Sequence, residues 1–173
     1  MDIKVLASGS SGNCYLVSDG VTPLLLECGL PIKQIRQGLG FGLTEVAACL
    51  VTHEHQDHSK AIRDVLRMGV YVYTSPGTIE ALGLEHHRLR PIRTKETFKV
   101  GTWTIRAFET QHDAVEPLGF LLHSKATGER LLFATDTYYI RYRFPGLTHI
   151  MVECNYAADI LYENVKRGSV PEV

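Results

Sequence analysis

One short cluster of ligand-type side chains constrains this chain more than any other feature. The segment Val46–Thr52 is apolar, a pattern typical of a buried strand. It runs into the motif His-x-His-x-Asp-His, formed by His53, His55, Asp57 and His58. At a strand's period of two, the first two histidines project to the same side. Imidazole and carboxylate together suit zinc, manganese or iron, so the motif predicts a metal site.

The alternative interpretation of the cluster is a polar loop whose histidines are solvated. A single histidine at this place would fit it, but three histidines and one aspartate within six residues do not. We predict Ser59 as the N-cap of an amphipathic helix over Lys60–Met68. The ligand-type residues would then occupy a strand-to-helix turn.

Two further ligand-type residues come later in the chain. His112 follows a predicted strand over Thr102–Glu109, and Asp136 follows another over Arg130–Ala134. Taken alone, either residue would more often be structural. Because sites gather at strand ends in layered α/β folds, the whole set predicts one shared site.

Strands alternate with short helices along the chain, which predicts an α/β fold. The further predicted strands cover Ile3–Ala7, Cys14–Ser18, Pro23–Cys28, Val70–Thr74, Phe98–Gly101, Gly119–His123 and Thr148–Glu153. The further predicted helices cover Ile32–Leu39, a short segment opened by Ser75 and Pro76, and Ala157–Arg167.

Composition sets broad bounds. The chain has 173 residues, of which 45% are apolar, enough for a single domain with a sizeable core. Its net charge of -1 argues neither for nor against nucleic acid. No apolar run could span a membrane, and the start lacks a signal peptide's long apolar core, so we expect no membrane association and a cytoplasmic location. Four cysteines without a Cys-x-x-Cys pair fit a reducing compartment.

The order and spacing of the motifs closely resemble the metallo-β-lactamase fold hydrolases. The opening Leu6-Ala7-Ser8-Gly9-Ser10-Ser11-Gly12-Asn13-Cys14 is similar to that of one branch, the YycJ/WalJ-like exonucleases. The resemblance covers essentially the whole chain and implies an αββα sandwich with a site for two metal ions. It implies that the first ion is held by His53, His55 and His112, the second by Asp57 and His58, and that Asp136 bridges both.

The chain departs from this family at its C-terminal end. The superfamily usually supplies a further histidine to the second metal, but no histidine follows His149, which comes too early to match. Water, substrate or another chain would have to complete that site. We therefore expect a sandwich whose C-terminal part is truncated, with exposed apolar surface that would favour a homodimer.

The resemblance implies a metal-dependent hydrolase of phosphodiester bonds with 5′-to-3′ exonuclease-like activity on DNA. Two divalent cations about 4 Å apart, zinc or manganese, can share a hydroxide, which Asp57 would orient. The alternatives are hydrolysis of a cyclic nucleotide, thioester or lactam, or a metal-binding domain without catalysis. Phosphate substrates would be favoured if the row of Arg88, Arg90 and Arg93 flanked the metals rather than forming a solvated loop.

Overall fold

Apolar side chains alternate along the strands and build two β-sheets that pack face to face. The computed structural model describes residues 1–153, 163 and 165–168. The predicted helix over Ala157–Arg167 therefore lies largely outside the described residues. No described helix has the length and apolar character needed to cross a membrane.

The first sheet has six strands, which lie in chain order. They are β1 (Asp2–Ala7), β2 (Cys14–Ser18), β3 (Pro23–Leu26), β4 (Ala48–Leu50), β5 (Tyr71–Thr74) and β6 (Leu89–Pro91). The first three pair antiparallel, and every pair from β3 onward is parallel. Its helices are α1 (Ile32–Gly38), α2 (Gln56–Ser59), α3 (Ile62–Arg67) and α4 (Pro76–Ala81), with a 3-10 turn at Leu43–Glu45.

The second sheet has five strands in the order β11-β10-β9-β8-β7. They are β7 (Thr97–Val100), β8 (Trp103–Glu109), β9 (Leu118–Ser124), β10 (Arg130–Ala134) and β11 (His149–Val152). All neighbours pair antiparallel except β10 and β11, which are parallel. Strands β9 and β10 follow each other in the chain and form an antiparallel hairpin.

Alternate residues of the first sheet face two different cores. Leu25 and Cys49 pack toward the helices, whereas Leu24 and Leu50 pack toward the second sheet. Trp103 is fully buried between the sheets. The helix, sheet and sheet layers confirm the α/β sandwich; the organisation as one domain stays a prediction.

The predicted Ser59 cap is wrong, because the helical segment starts earlier and is split in two. Ser59 is the last residue of α2, and its hydroxyl donates to the carbonyl oxygens of Glu54 (2.7 Å) and His55 (3.0 Å). The apolar periodicity in the sequence indicates only α3. It misses α2 because the residues of α2 are polar and face the site. The predicted cap of α4 is confirmed, because the Ser75 hydroxyl accepts from the Thr78 amide at 3.1 Å.

Candidate metal centre

All six ligand-type residues predicted from the sequence converge at one edge of the sandwich. They follow β4, lie on α2, and follow β8 and β10. Their ligand atoms form two groups, and within each group these atoms lie within 4.8 Å of one another. One group is His53, His55, His112 and Asp136, and the other is Asp57, His58 and Asp136.

In the first group, three imidazole nitrogens meet. Nδ1 of His55 lies 3.2 Å from Nε2 of His53 and 3.1 Å from Nε2 of His112. Oδ2 of Asp136 lies 3.4 Å from the His53 nitrogen and 3.7 Å from the His112 nitrogen. A single carboxylate oxygen therefore lies near the ring nitrogens of this group as a fourth ligand-type atom.

The same oxygen also closes the second group. Oδ2 of Asp136 lies 2.8 Å from Nε2 of His58, and that nitrogen lies 3.3 Å from Oδ2 of Asp57. Asp57 is partly exposed, whereas the His58 side chain is fully buried. Asp136 Oδ2 is thus common to both groups, the position that a bridging ligand would need.

Outer partners orient two of the histidine rings. Nδ1 of His53 lies 2.8 Å from the Thr52 hydroxyl, and Nδ1 of His112 lies 3.0 Å from Oδ1 of Asp113. Each ring therefore turns Nε2 toward the centre, the arrangement that oxygen partners behind a metal-binding histidine impose. His55 presents Nδ1 instead.

Glu27 is a site residue that the sequence analysis missed. Its carboxylate is fully buried, with Oε1 3.6 Å from Nδ1 of His58 and Oε2 accepting from the Thr52 amide at 3.3 Å. Oε1 of Glu27 and Nδ1 of His58 have no hydrogen-bond partner among the described residues. The available signal was an acidic residue at the end of the apolar strand Pro23–Leu26, where a core position would not take a charge.

Burial and charge act against each other in this cluster. Burial lowers the pKa of His58, but the carboxylates of Asp136 and Glu27 outweigh it and raise that pKa to about 10. Hydrogen bonds with His53 and His58 hold the pKa of Asp136 far below its usual range. Burial, together with the nearby positive charge of His53, lowers the pKa of His112.

The donor set fits divalent metal ions. Ring nitrogens face one another and one carboxylate at 2.8–3.7 Å, so four imidazoles and a shared carboxylate oxygen present their ligand atoms to one small volume. Nitrogen and oxygen ligands in this mixture suit zinc or manganese. A cation is the group that would satisfy both ligand sets together.

Backbone contacts hold α2 in place. The Asn13 amide donates to the Asp57 carbonyl at 2.7 Å, and the Cys28 amide donates to the His58 carbonyl at 2.8 Å. Gly29 lies so close that a Cβ there would be 1.6 Å from the Asp57 carbonyl oxygen. Asn13 and Cys28 therefore support the helix that carries the motif.

Two turns are joined beside the site. The Gln111 amide donates to the Thr137 hydroxyl at 3.0 Å, which connects the segment before His112 to the segment after Asp136. Asp136 has a φ of 46°, a conformation that aspartate tolerates better than most residues. Glu153 caps this turn by accepting from the Asp136 amide at 3.1 Å.

Glu54 supports the loop that follows His112. Its carboxylate accepts from the Val115 amide at 2.8 Å and from the Thr78 hydroxyl at 3.4 Å. Beside this loop a cleft of about 370 Å³ opens; its lining includes His112, Glu116 and Tyr138 but no lysine or arginine.

The row of arginines that would favour a phosphate substrate if it flanked the metals does not line this cleft. The guanidinium groups of Arg88 and Arg90 lie 5.4 Å and 4.5 Å from the ring centroid of Tyr71. Tyr71 begins β5, at the strand end opposite the metal centre. Arg88 and Arg90 therefore give no support for a phosphate substrate.

Known proteins are similar to this chain in sequence and in fold. Residues 25–162 match the family described as the beta-lactamase superfamily domain. Exodeoxyribonuclease YycJ of Bacillus anthracis is 30% identical over 159 residues, covering 85% of this chain and 58% of YycJ. Exodeoxyribonuclease WalJ of Streptococcus pneumoniae is 30% identical over 178 residues, covering 91% of this chain and 64% of WalJ.

A solved metallo-β-lactamase of Cronobacter sakazakii, the S60 mutant of its HARLDQ motif, superposes with a TM-score of 0.65 at 16% identity. The match covers 84% of this chain and 62% of that one. The chain spans 58–64% of the length of the two curated relatives. By its family match and its fold, the chain belongs to the beta-lactamase superfamily, with a metallo-β-lactamase fold related to YycJ.

Proposed function

We propose that this chain is a metal-dependent hydrolase of phosphodiester bonds that acts on DNA as a 5′-to-3′ exonuclease. The carrying observation is that Oδ2 of Asp136 is common to two ligand groups. Such a pair of sites suits displacement at phosphorus, where attacking and leaving oxygens both need a cation. YycJ and WalJ are named exodeoxyribonucleases, which supports DNA as the substrate.

In this proposal His53, His55 and His112 would hold the first cation, Asp57 and His58 would hold the second, and Asp136 would be shared by both. Two zinc or manganese ions would supply Lewis acidity and lower the pKa of a water molecule. Asp57 is the catalytic carboxylate, because its side chain is 31% exposed beside the buried ring of His58. It orients the attacking water toward phosphorus. Glu27, behind His58, keeps the ring turned toward the centre.

The second ligand group has one carboxylate and one histidine besides the bridging Asp136 among the described residues. Catalytic metal sites commonly keep such an open position for water or substrate. We propose that a water molecule or a phosphate oxygen of the substrate fills it.

The test is hydrolysis of 5′- and 3′-labelled DNA, single-stranded and duplex, with manganese or zinc and with EDTA as the blank. We expect metal-dependent shortening from the 5′ end, abolished by His53→Ala. The matched control is His123→Ala, which changes a histidine of β9 that pairs with Arg130 away from the centre. No cleavage with either metal would reject the proposal, and hydrolysis of a cyclic nucleotide, thioester or lactam by the same protein would replace it.

Two further expectations belong with this function. Cys14, Cys28 and Cys49 are buried free thiols, which fits the proposed cytoplasmic location, where thiols stay reduced. The homodimer stays a prediction, and light scattering of the purified chain would measure its mass.

A further inference from the structure

The segment that follows Asp136 has an unusual composition. Residues 138–144 read Tyr-Tyr-Ile-Arg-Tyr-Arg-Phe, and no acidic residue occurs between Asp136 and Glu153. The whole chain has a net charge of -1, so this run is a local concentration of cationic and aromatic groups. The sequence analysis did not single it out.

The first two aromatic rings of this segment are presented to solvent beside the metal centre. Tyr138 is 84% exposed and Tyr139 is 59% exposed. Tyr138 lines the same cleft as His112. Neighbouring exposed rings at the mouth of a site point to a ligand that has flat faces of its own.

Further along, the same segment closes a groove on the outer face of the second sheet. This groove has a volume of about 260 Å³ and is lined by Phe108, Tyr142 and Phe144 together with three cations, Lys95, Arg106 and Arg143. The ring centroid of Phe108 lies 4.8 Å from that of Phe144 and 5.9 Å from that of Tyr142.

The three cations of the groove are exposed and lack a charge partner. Within the part of the chain that the structure describes, none of them lies within ion-pair distance of a carboxylate. They are therefore free to meet an anion, and their alternation with aromatic rings matches the chemistry of nucleic acid better than that of a lipid or a neutral peptide.

The cleft and the groove adjoin each other. Thr94 lines the cleft and its neighbour Lys95 lines the groove, while Tyr138 lines the cleft and Tyr142 lines the groove. A bound strand could therefore run from the metal centre over the exposed tyrosines into the groove without leaving the protein surface.

We propose that the cleft and the groove form one track for single-stranded DNA. Bases stack on Tyr138 and Tyr139, and phosphates contact Lys95, Arg106 and Arg143. A single strand is favoured over a duplex because only unstacked bases expose faces to aromatic side chains. The track as a substrate path rests on the proposed nuclease function, but its affinity for DNA can be measured without hydrolysis.

The experiment measures fluorescence anisotropy of a labelled oligothymidylate of about 15 nucleotides, protected by phosphorothioate linkages at its ends, with the metal-loaded chain. We expect Tyr138→Ala to weaken binding by about 5- to 100-fold. Arg106→Ala combined with Arg143→Ala should reduce the slope of log K against log salt by about 0.7 for each lost phosphate contact.

The matched control combines Arg88→Ala with Arg90→Ala, which removes the same charge from the arginines that stack on Tyr71. It should keep wild-type affinity and salt slope, and thermal melting would confirm that all variants fold. Equal losses in both double variants, or tighter binding of a duplex than of the single strand, would overturn the track.

The other outcomes separate the two proposals. DNA hydrolysis that is unchanged in the track variants would leave the nuclease function and reject the track. If the track substitutions weaken DNA binding but the wild type hydrolyses no DNA, the track is supported and the nuclease function is rejected. If Arg106→Ala and Arg143→Ala instead abolish self-association of the chain, the groove is a protein interface and the track is rejected.

Discussion

Two polar clusters lie at opposite ends of the sandwich and satisfy their carboxylates in opposite ways. At one end, Asp19 accepts from the amides of Val21 (3.1 Å) and Thr22 (2.9 Å) and from the hydroxyls of Thr102 (2.5 Å) and Ser124 (2.7 Å). Thr102 and Ser124 come from the second sheet, so this cluster joins the two sheets. Every donor is supplied by the protein itself.

The metal centre instead gathers ligand-type atoms around one carboxylate oxygen. Asp136 meets three ring nitrogens, and the rings of His53, His55 and His112 meet one another at 3.1–3.2 Å. Behind this cluster, Oε1 of Glu27 and Nδ1 of His58 are buried and have no hydrogen-bond partner among the described residues. A buried polar group without a partner is costly, so such a cluster is kept where it serves a ligand. The difference teaches that a complete cluster stabilises the fold, whereas an incomplete one marks the place where an external cation is needed.

The largest effect is expected when the carboxylate of Asp136, which both ligand groups share, loses its charge. Asp136→Asn keeps a residue that tolerates the φ of 46° but removes the bridging charge. We expect hydrolysis to fall by more than about 100-fold, since even partners behind metal ligands affect affinity or activity by about 10- to 100-fold. The rise in Tm on metal addition should also become smaller, because only the first ion would still bind, and more weakly. Asp64→Asn on α3 is the control, and an undiminished metal-induced rise in Asp136→Asn would contradict the bridging role.

Gly29→Ala should have the second-largest effect, because the added Cβ would lie 1.6 Å from the Asp57 carbonyl oxygen. The helix that carries Asp57 and His58 would have to move. We expect the free energy of unfolding to fall by about 3 kcal/mol or more, with weaker metal binding. Gly83→Ala, where a Cβ meets nothing within 4 Å, should cost only the strain of its positive φ, about 1–2 kcal/mol. Denaturant titration compares them, and equal losses would show that the close approach is not the cause.

Asp19→Ala should separate stability from metal binding. It leaves two amides and two hydroxyls without their acceptor, and we expect a loss of about 2–3 kcal/mol in the free energy of unfolding. The metal-induced rise in Tm should stay unchanged. If the rise shrinks along with the stability, the two clusters are not independent.

The same carboxylate predicts an acid-dependent loss of stability. Burial raises the pKa of Asp19, but hydrogen bonds from Thr102 and Ser124 outweigh it and lower that pKa to about 2. The stabilisation is therefore present above the unfolded-state pKa of about 3.9 and is lost as pH falls through about 2. Denaturant titrations between about pH 5 and pH 2 should show a decline in the wild type that is reduced in Asp19→Asn.

The smallest effect concerns the partner behind His58. Glu27→Gln keeps the side-chain volume but removes the charge beside Nδ1 of His58, 3.6 Å away. We expect metal affinity to fall by about 10- to 100-fold while the fold is retained. Calorimetric titration with zinc measures this, with Glu80→Gln on α4 as the exposed control. Unchanged affinity would mean that Glu27 serves the fold alone.

Local signals predicted most of the strands and the whole set of converging ligand-type residues. Period-two alternation identified β2 and β10 closely, and the chemistry of His53–His58 identified the site before any contact was known. These signals act within a few residues, which is why they can be read from sequence.

Contacts between distant residues could not be predicted in this way. Glu27 meets His58 only after the chain has folded, and Gly29 must be small because α2 approaches it closely. The Asp19 cluster joins residues 83 and 105 positions apart. Arg88 and Arg90 were reasonable candidates by charge, but their guanidinium groups lie over Tyr71, at the end of β5 opposite the metal centre.

The number of metal ions bound per chain is the most direct test of the claim that Asp136 serves two metal sites. Native mass spectrometry of the full chain, titrated with zinc or manganese, should show two ions per chain in the wild type. Asp136→Asn should lose the second ion and bind the first more weakly. A single ion in the wild type, or two ions bound equally well by the wild type and Asp136→Asn, would contradict a bridged pair of sites.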